Sequence, residues 1–185
     1  MQHICVFAGS KLGVRQEYQQ MAISLGKELA ARGIGLVYGG AYIGLMGMIA
    51  DAVLAEGGEV IGVTPQGIFE NEGIHPGLTR LYTVQDMHER KELMAKLSDG
   101  FIALPGGVGT LEELIEMAAG AHIQLHSKPI GLLNIAEFFT PLQAFFTHMI
   151  TEGFMPSSSS SLLICEDTPS DLLNAMLAPS RLTST

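Results

Sequence analysis

Apolar residues along the chain fall into short unbroken runs separated by longer stretches in which they recur every three or four positions. The runs read as strands over 4–8, 35–38, 59–63, 79–84, 101–104, 130–133 and 162–165. The periodic stretches read as helices over 16–31, 46–56, 87–97, 110–125, 138–152 and 169–177. In the first helix Tyr18, Ala22, Leu25 and Leu29 share one face, as a 3.6-residue period requires. Gly57 and Gly58 close the second, and 138–152 is expected to be helical despite Pro141. The stretch 64–78, with Pro65, Gly67, Gly73, Pro76 and Gly77, reads as a loop, and the serine run 157–161 as a flexible one. Strands that are apolar throughout, alternating with helices, predict an α/β fold: a parallel sheet covered by helices on both faces. With neither linker nor repeat, one domain over 1–185 is expected. Ligands in such folds sit beyond the carboxyl ends of the strands. Three loops fall there, at 8–10, 39–41 and 105–110.

Composition narrows the partners. Hydrophobic residues make up 47% and charged residues 16%, and mean hydropathy is positive. That is a compact globular chain with apolar surface to spare, which predicts a homo-oligomer. Nineteen acidic against ten basic residues give a net charge of −9, opposite to the basic surplus of a nucleic-acid binder. Any anionic substrate must find its positive charge locally. Cys5 and Cys165 each lie in an apolar run, as expected for buried thiols in a reducing compartment. No run is long enough to span a membrane, and the N-terminus lacks the pattern of a signal peptide. A cytoplasmic location is expected.

The candidate chemistry centres on Pro105-Gly106-Gly107-Val108-Gly109-Thr110, between a strand and a helix. Glycines allow close backbone approach, and helix N-termini attract anions. The stretch is neither a Walker A loop nor GxGxxG; a tight turn that simply needs glycine explains it equally well. Thr110-x-x-Glu113 also matches a capping box, which would make Glu113 purely structural. Glu112 reads as a helix-start residue favoured by the dipole and pointing to solvent. In 86–96, mixed charges suggest a solvated face with pairs such as Glu92 with Lys96, and His88 and Glu89 read as surface positions. Arg90-Lys91, however, is a rare adjacent basic pair lying toward the N-terminal end of its helix, and so toward the same rim. His122 and His126 have i,i+4 spacing but lack a third ligand or an HExxH glutamate, so no metal site is expected. Ser10 has no Gly-x-Ser-x-Gly elbow, which argues against a serine hydrolase.

Taken together, FAGSKLG, LVYGGAYIGLMG, GVTP, MHERK and LPGGVGTLEE resemble, in order and spacing, the LOG (Lonely guy) family of cytokinin riboside 5′-monophosphate phosphoribohydrolases. Many members carry an older label as possible lysine decarboxylases. The resemblance runs from residue 1 to about 156 and continues more weakly beyond. It implies a Rossmann-like fold, a homodimer with active sites near the subunit interface, and no cofactor. It implies hydrolysis of a nucleoside 5′-monophosphate to an adenine-type base and ribose 5-phosphate, with AMP as a further substrate in some relatives. By the same resemblance Arg90 and Glu113 are catalytic. Ser10, Gly40, Met87, Lys91 and the loop residues Gly106, Gly107, Val108, Gly109 and Thr110 join Arg90 in holding the substrate. Four places depart from the family pattern: Ala41, Gln66, Val108 and the stretch 120–124. All four are expected to bear on the base pocket.

Cleavage of an N-glycoside passes through an oxocarbenium-like state, in which a fixed carboxylate stabilises the sugar and activates water. Glu113 suits that role, with the loop amides holding the phosphate and Arg90 positioning the substrate or assisting the departing base. Three alternatives compete: a non-catalytic nucleotide carrier on the same fold, a pyridoxal-phosphate decarboxylase, and a general AMP nucleosidase in purine salvage. Lys91, Lys96 and Lys128 sit in no recognisable setting for a pyridoxal cofactor.

Overall fold

The computed structural model describes residues 1–67 and 73–178. The expected 64–78 loop and 1–185 domain therefore each include positions outside the described residues.

Within the described residues, seven strands form one sheet: β1 (His3–Phe7), β2 (Gly35–Tyr38), β3 (Val60–Pro65), β4 (Arg80–Val84), β5 (Gly100–Ala103), β6 (Ile130–Leu133) and β7 (Ile164–Glu166). Their order is β4-β3-β2-β1-β5-β6-β7, and every pairing is parallel. Among the described residues six helices cover it: α1 (Gln16–Ala31), α2 (Gly44–Ala55), α3 (Met87–Leu97), α4 (Val108–His122), α5 (Thr140–Thr151) and α6 (Pro169–Leu177).

The unbroken apolar strands are explained by burial on both faces. In β1, Ile4 and Val6 enter one core with residues of α1, α2 and α6. Cys5 and Phe7 enter the other with residues of α3 and α4, and Leu142 of α5 packs against it. On α1 the expected face turns inward, with Ala22, Leu25 and Leu29 fully buried and Tyr18 packed at the margin.

Element ends depart from expectation for local reasons. Residues 64 and 65 are strand, not loop: Thr64 pairs with Thr83 and Pro65 with Val84. β2 pairs with β3 only as far as Gly62, so the missing N–H of Pro65 falls where just one neighbour remains. α5 begins at Thr140, and Pro141 lies in its first turn, where the absent donor costs nothing. The serine run forms a 3-10 turn, Ser157–Ser161. α2 and α4 each start two residues earlier than the apolar period suggests, because each first turn contains glycine, Gly44 and Gly109, which carries no periodic signal. Cys5 is fully buried as expected, whereas Cys165 is only half-buried; neither forms a disulfide.

Candidate functional site

β1 sits at the centre of the sheet, with β2 to β4 added on one side and β5 to β7 on the other. The crevice between β1 and β5 is thus the point at which the winding reverses, where open α/β sheets bind ligands. The loops after these strands are tied together by the Gly9 N–H, which donates to the Pro105 carbonyl at 3.2 Å. A cleft of about 330 Å³ opens above them.

Three helices bring their N-termini to this rim, and they differ in what satisfies their amides. On α3, Asp86 Oδ1 accepts from the His88 and Glu89 N–H groups, both at 2.9 Å. On α2, the Leu45 N–H donates to the Gly9 carbonyl at 3.0 Å. α4 starts from Gly107 without a side-chain cap and with no acidic residue in its first turn. Its Val108, Gly109 and Thr110 amides form the end best suited to an anion.

The capping box that Thr110-x-x-Glu113 matches in sequence does not form. α4 opens at Val108, which moves both residues inside the helix. The side-chain cap belongs instead to α3, where Asp86 is the cap and Glu89 Oε2 reaches back past it to accept from the Gln85 N–H at 2.7 Å. His88 and Glu89 are exposed, as expected.

Glu113 is therefore released from capping, and it faces Arg90. Arg90 Nη1 donates to Glu113 Oε1 at 2.8 Å, and Arg90 Nε donates to the Val63 carbonyl at 3.1 Å. The two side chains belong to different helices, α3 and α4, and only 6% and 8% of each residue is exposed. Burial pushes the Glu113 carboxyl above the ordinary range, while the Arg90 guanidinium pulls the other way. The result is a shielded carboxylate with raised proton affinity, able to take a proton from water. It lies six residues into α4, about 9 Å along the axis from the uncapped end. That spacing leaves room for a sugar between an anion at the helix start and the carboxylate.

Of the residues expected from sequence, Ser10, Met87, Arg90, Gly107, Val108, Gly109, Thr110 and Glu113 line the cleft. Three do not. Gly40 turns toward Gly62 of β3 and takes a left-handed φ of 85°; Gly39 faces the cleft in its place. Gly106 is packed behind the loop, where a Cβ would overlap the Thr110 side chain. Lys91 is held between Glu112 and Glu116, and these bonds raise its proton affinity, Glu112 first. Glu112 is exposed, as expected, but it also lines the cleft with its charge countered by Lys91. Among the described residues no ion pair joins Glu92 to Lys96.

Ala8, Gly9 and Gly39, from the two loops expected at this rim, also line the cleft, as does Glu112. Met46 lines it without having been singled out for the site in sequence, and only its place in the first turn of α2 could have signalled it. Of the departures from the family pattern, Ala41 and Val108 line the cleft and Gln66 does not. The stretch 120–124 lies at the far end of α4, about 18 Å from Val108, and does not line the cleft. His122 and His126 have separate uses. His122 Nδ1 meets Ser159 Oγ at 3.3 Å, while His126 Nε2 donates to the Met117 carbonyl and its Nδ1 accepts from the Lys128 N–H.

A parallel sheet wound in both directions from a central strand, with an anion-ready helix end at its switch point, defines a Rossmann-like α/β protein. Solved structures of the same fold include the molybdenum cofactor binding protein of Rippkaea orientalis, with TM-score 0.72, 20% identity and 94% of each chain covered. The molybdenum cofactor carrier protein of Chlamydomonas reinhardtii is equally close, with TM-score 0.72, 23% identity and 94% of each chain covered. At that identity they share the fold alone. Sequence comparison is more specific. The cytokinin riboside 5′-monophosphate phosphoribohydrolase of Rhodococcoides fascians is 46% identical over 166 residues, which is 89% of this chain and 84% of that protein. The enzyme of the same name from Oryza sativa subsp. japonica is 45% identical over 170 residues, 92% of this chain and 70% of that protein. Residues 46–176 match the family described as "Possible lysine decarboxylase". The chain belongs to this family, in its cytokinin riboside 5′-monophosphate phosphoribohydrolase (LOG) branch.

Proposed function

We propose that the chain hydrolyses the N-glycosidic bond of cytokinin riboside 5′-monophosphates, releasing the free adenine-type base and ribose 5-phosphate. The observation that carries this is the buried Arg90–Glu113 pair set one and a half turns beyond the uncapped end of α4. In this reading the phosphate rests on the Val108, Gly109 and Thr110 amides, with Ser10 across the cleft. The C1′–N9 bond breaks, and its electron pair leaves with the base, which takes up a proton. Glu113 stabilises the positive charge that grows on the ribose. It also accepts a proton from the water whose oxygen bonds C1′. Arg90 holds Glu113 in place and keeps it ionised. Lys91 acts from outside the cleft, offsetting Glu112 where a phosphate dianion must arrive.

A pyridoxal-dependent decarboxylase, as the family description suggests, does not fit these residues. Such chemistry needs a lysine in the cleft. Among the described residues none lines it; Lys91 is tied to two carboxylates, and Lys128 Nζ donates to two carbonyls. We further propose a homodimer. Val108, Leu111 and Ile115 form an exposed apolar stripe on α4 leading away from the cleft mouth, which a second copy would cover; light scattering that finds only monomer would remove this. Two unpaired cysteines support a cytoplasmic location. Among the described residues, no helix is long and apolar enough to cross a membrane.

The test is a product assay. Purified protein is incubated separately with isopentenyladenosine 5′-monophosphate and with AMP, and free base is followed by chromatography, with Glu113→Gln alongside. Base release by the wild type and a loss of about 10²- to 10⁴-fold in the folded variant are expected. Comparable rates on both nucleotides would shift the reading to a general AMP nucleosidase. Binding without base release would make the protein a nucleotide carrier.

A further inference from the structure

Gly39, the residue after β2, is fixed by neither fold nor backbone conformation. Its φ lies outside the left-handed region, unlike those of Gly40 at 85° and Gly44 at 61°. No left-handed φ reserves this position for glycine, so its lack of a side chain calls for another reason. The reason lies in what a Cβ would meet. It would overlap Arg90 Nη2, with Arg90 Cζ at 3.5 Å and Met46 Sδ at 3.4 Å as the next neighbours. All three atoms belong to flexible side chains, and two of them to the arginine that pairs with Glu113.

Arg90 is thus seated on three sides. The Val63 carbonyl fixes Nε, Glu113 fixes Nη1, and the bare Cα of Gly39 leaves the space that Nη2 fills. We infer that Gly39 is a positioning residue: its missing side chain is the seat of the Arg90 guanidinium, and any Cβ there moves Arg90 away from Glu113 while leaving the fold intact. The inference rests on the proposed hydrolysis for its effect on turnover, but not for its effect on Glu113.

Two measurements separate these. In Gly39→Ala, ¹³C NMR of the glutamate carboxyls in the free protein should show Glu113 titrating at higher pH than in the wild type, because the displaced arginine no longer favours its charged form. In the Arg90→Ala background, adding Gly39→Ala should leave that titration unchanged. With cytokinin nucleotide as substrate, Gly39→Ala should lower kcat about 10- to 100-fold, the loss of one charge-assisted hydrogen bond. KM should stay near the wild-type value, since the helix end that holds the phosphate is untouched, and the acid limb of the rate profile should move to higher pH. A folded Gly39→Ala protein with wild-type Glu113 titration and turnover overturns the inference. If Gly39→Ala does not fold, the Gly39→Ala/Arg90→Ala double variant decides: folding restored by removing Arg90 supports the seat, and failure of both overturns it. A wild type without hydrolytic activity would count against the proposed function alone, because the titration still reads the seat.

Discussion

Removing Arg90 should make the stability of this protein depend on pH in a specific direction. The Arg90→Ala variant strips Glu113, 8% exposed, of its partner and leaves the Val63 carbonyl without the Nε donor. Breaking a buried ion pair by deleting one member costs about 3 to 5 kcal/mol. The lower value, about 3 kcal/mol, applies because this pair lines an open cleft that water can enter. The penalty falls on the charged form of Glu113. In the wild type its carboxyl already lies above the ordinary range because of burial, and Arg90 is what restrains it. Without Arg90 it rises further. A carboxyl whose folded value exceeds its unfolded value contributes stability that is fully present below the unfolded value, near 4.3, and is lost as pH rises through the folded value. Arg90→Ala should therefore cost most near pH 8 and distinctly less near pH 5. The difference is about 1.4 kcal/mol for each unit by which the Glu113 value rises beyond wild type. Urea denaturation of both proteins at the two pH values measures it, and adding Glu113→Gln to the variant should abolish the pH dependence. Equal penalties at both pH values, or a larger one at pH 5, would refute the assignment of Arg90 as the group that keeps Glu113 ionised.

Two further predictions concern the frame around the site. The Tyr38 hydroxyl is buried without a hydrogen-bond partner among the described residues, and its proton affinity is raised by burial and by Asp51; Tyr38→Phe should leave stability unchanged or raise it by up to about 1 kcal/mol, and a loss of that size in a denaturation curve would show that the hydroxyl has a partner. Asp86→Ala removes the cap one turn before Arg90; it should cost about 1 kcal/mol and reduce turnover by loosening the start of α3, so unchanged stability and unchanged turnover together would argue that Asp86 has no part in seating Arg90.

The apolar pattern alone specified the strands, the helices and a parallel sheet covered on both faces, because burial on both sides requires apolar runs and those are local. The sequence also pointed to the rim where the cleft opens: glycine loops after β1, β2 and β5 must meet wherever parallel strands end together. What it could not determine was which group each polar side chain would face. Thr110-x-x-Glu113 and Asp86-x-x-Glu89 carry the same local signature, yet only the second caps a helix. The choice depends on where a glycine-built first turn begins, and glycine leaves no periodic trace. Lys91 and Arg90 are adjacent in sequence but point 100° apart around α3. One enters the cleft toward Glu113, while the other is captured by Glu112 and Glu116 on α4. Gly39 and Gly40 are likewise indistinguishable as letters. The tertiary structure separates them because one needs a left-handed backbone and the other sits against a guanidinium brought in from a helix fifty residues along the chain. Pairings of that kind are set by the packing of α3 and α4 over the sheet, and no local pattern encodes them.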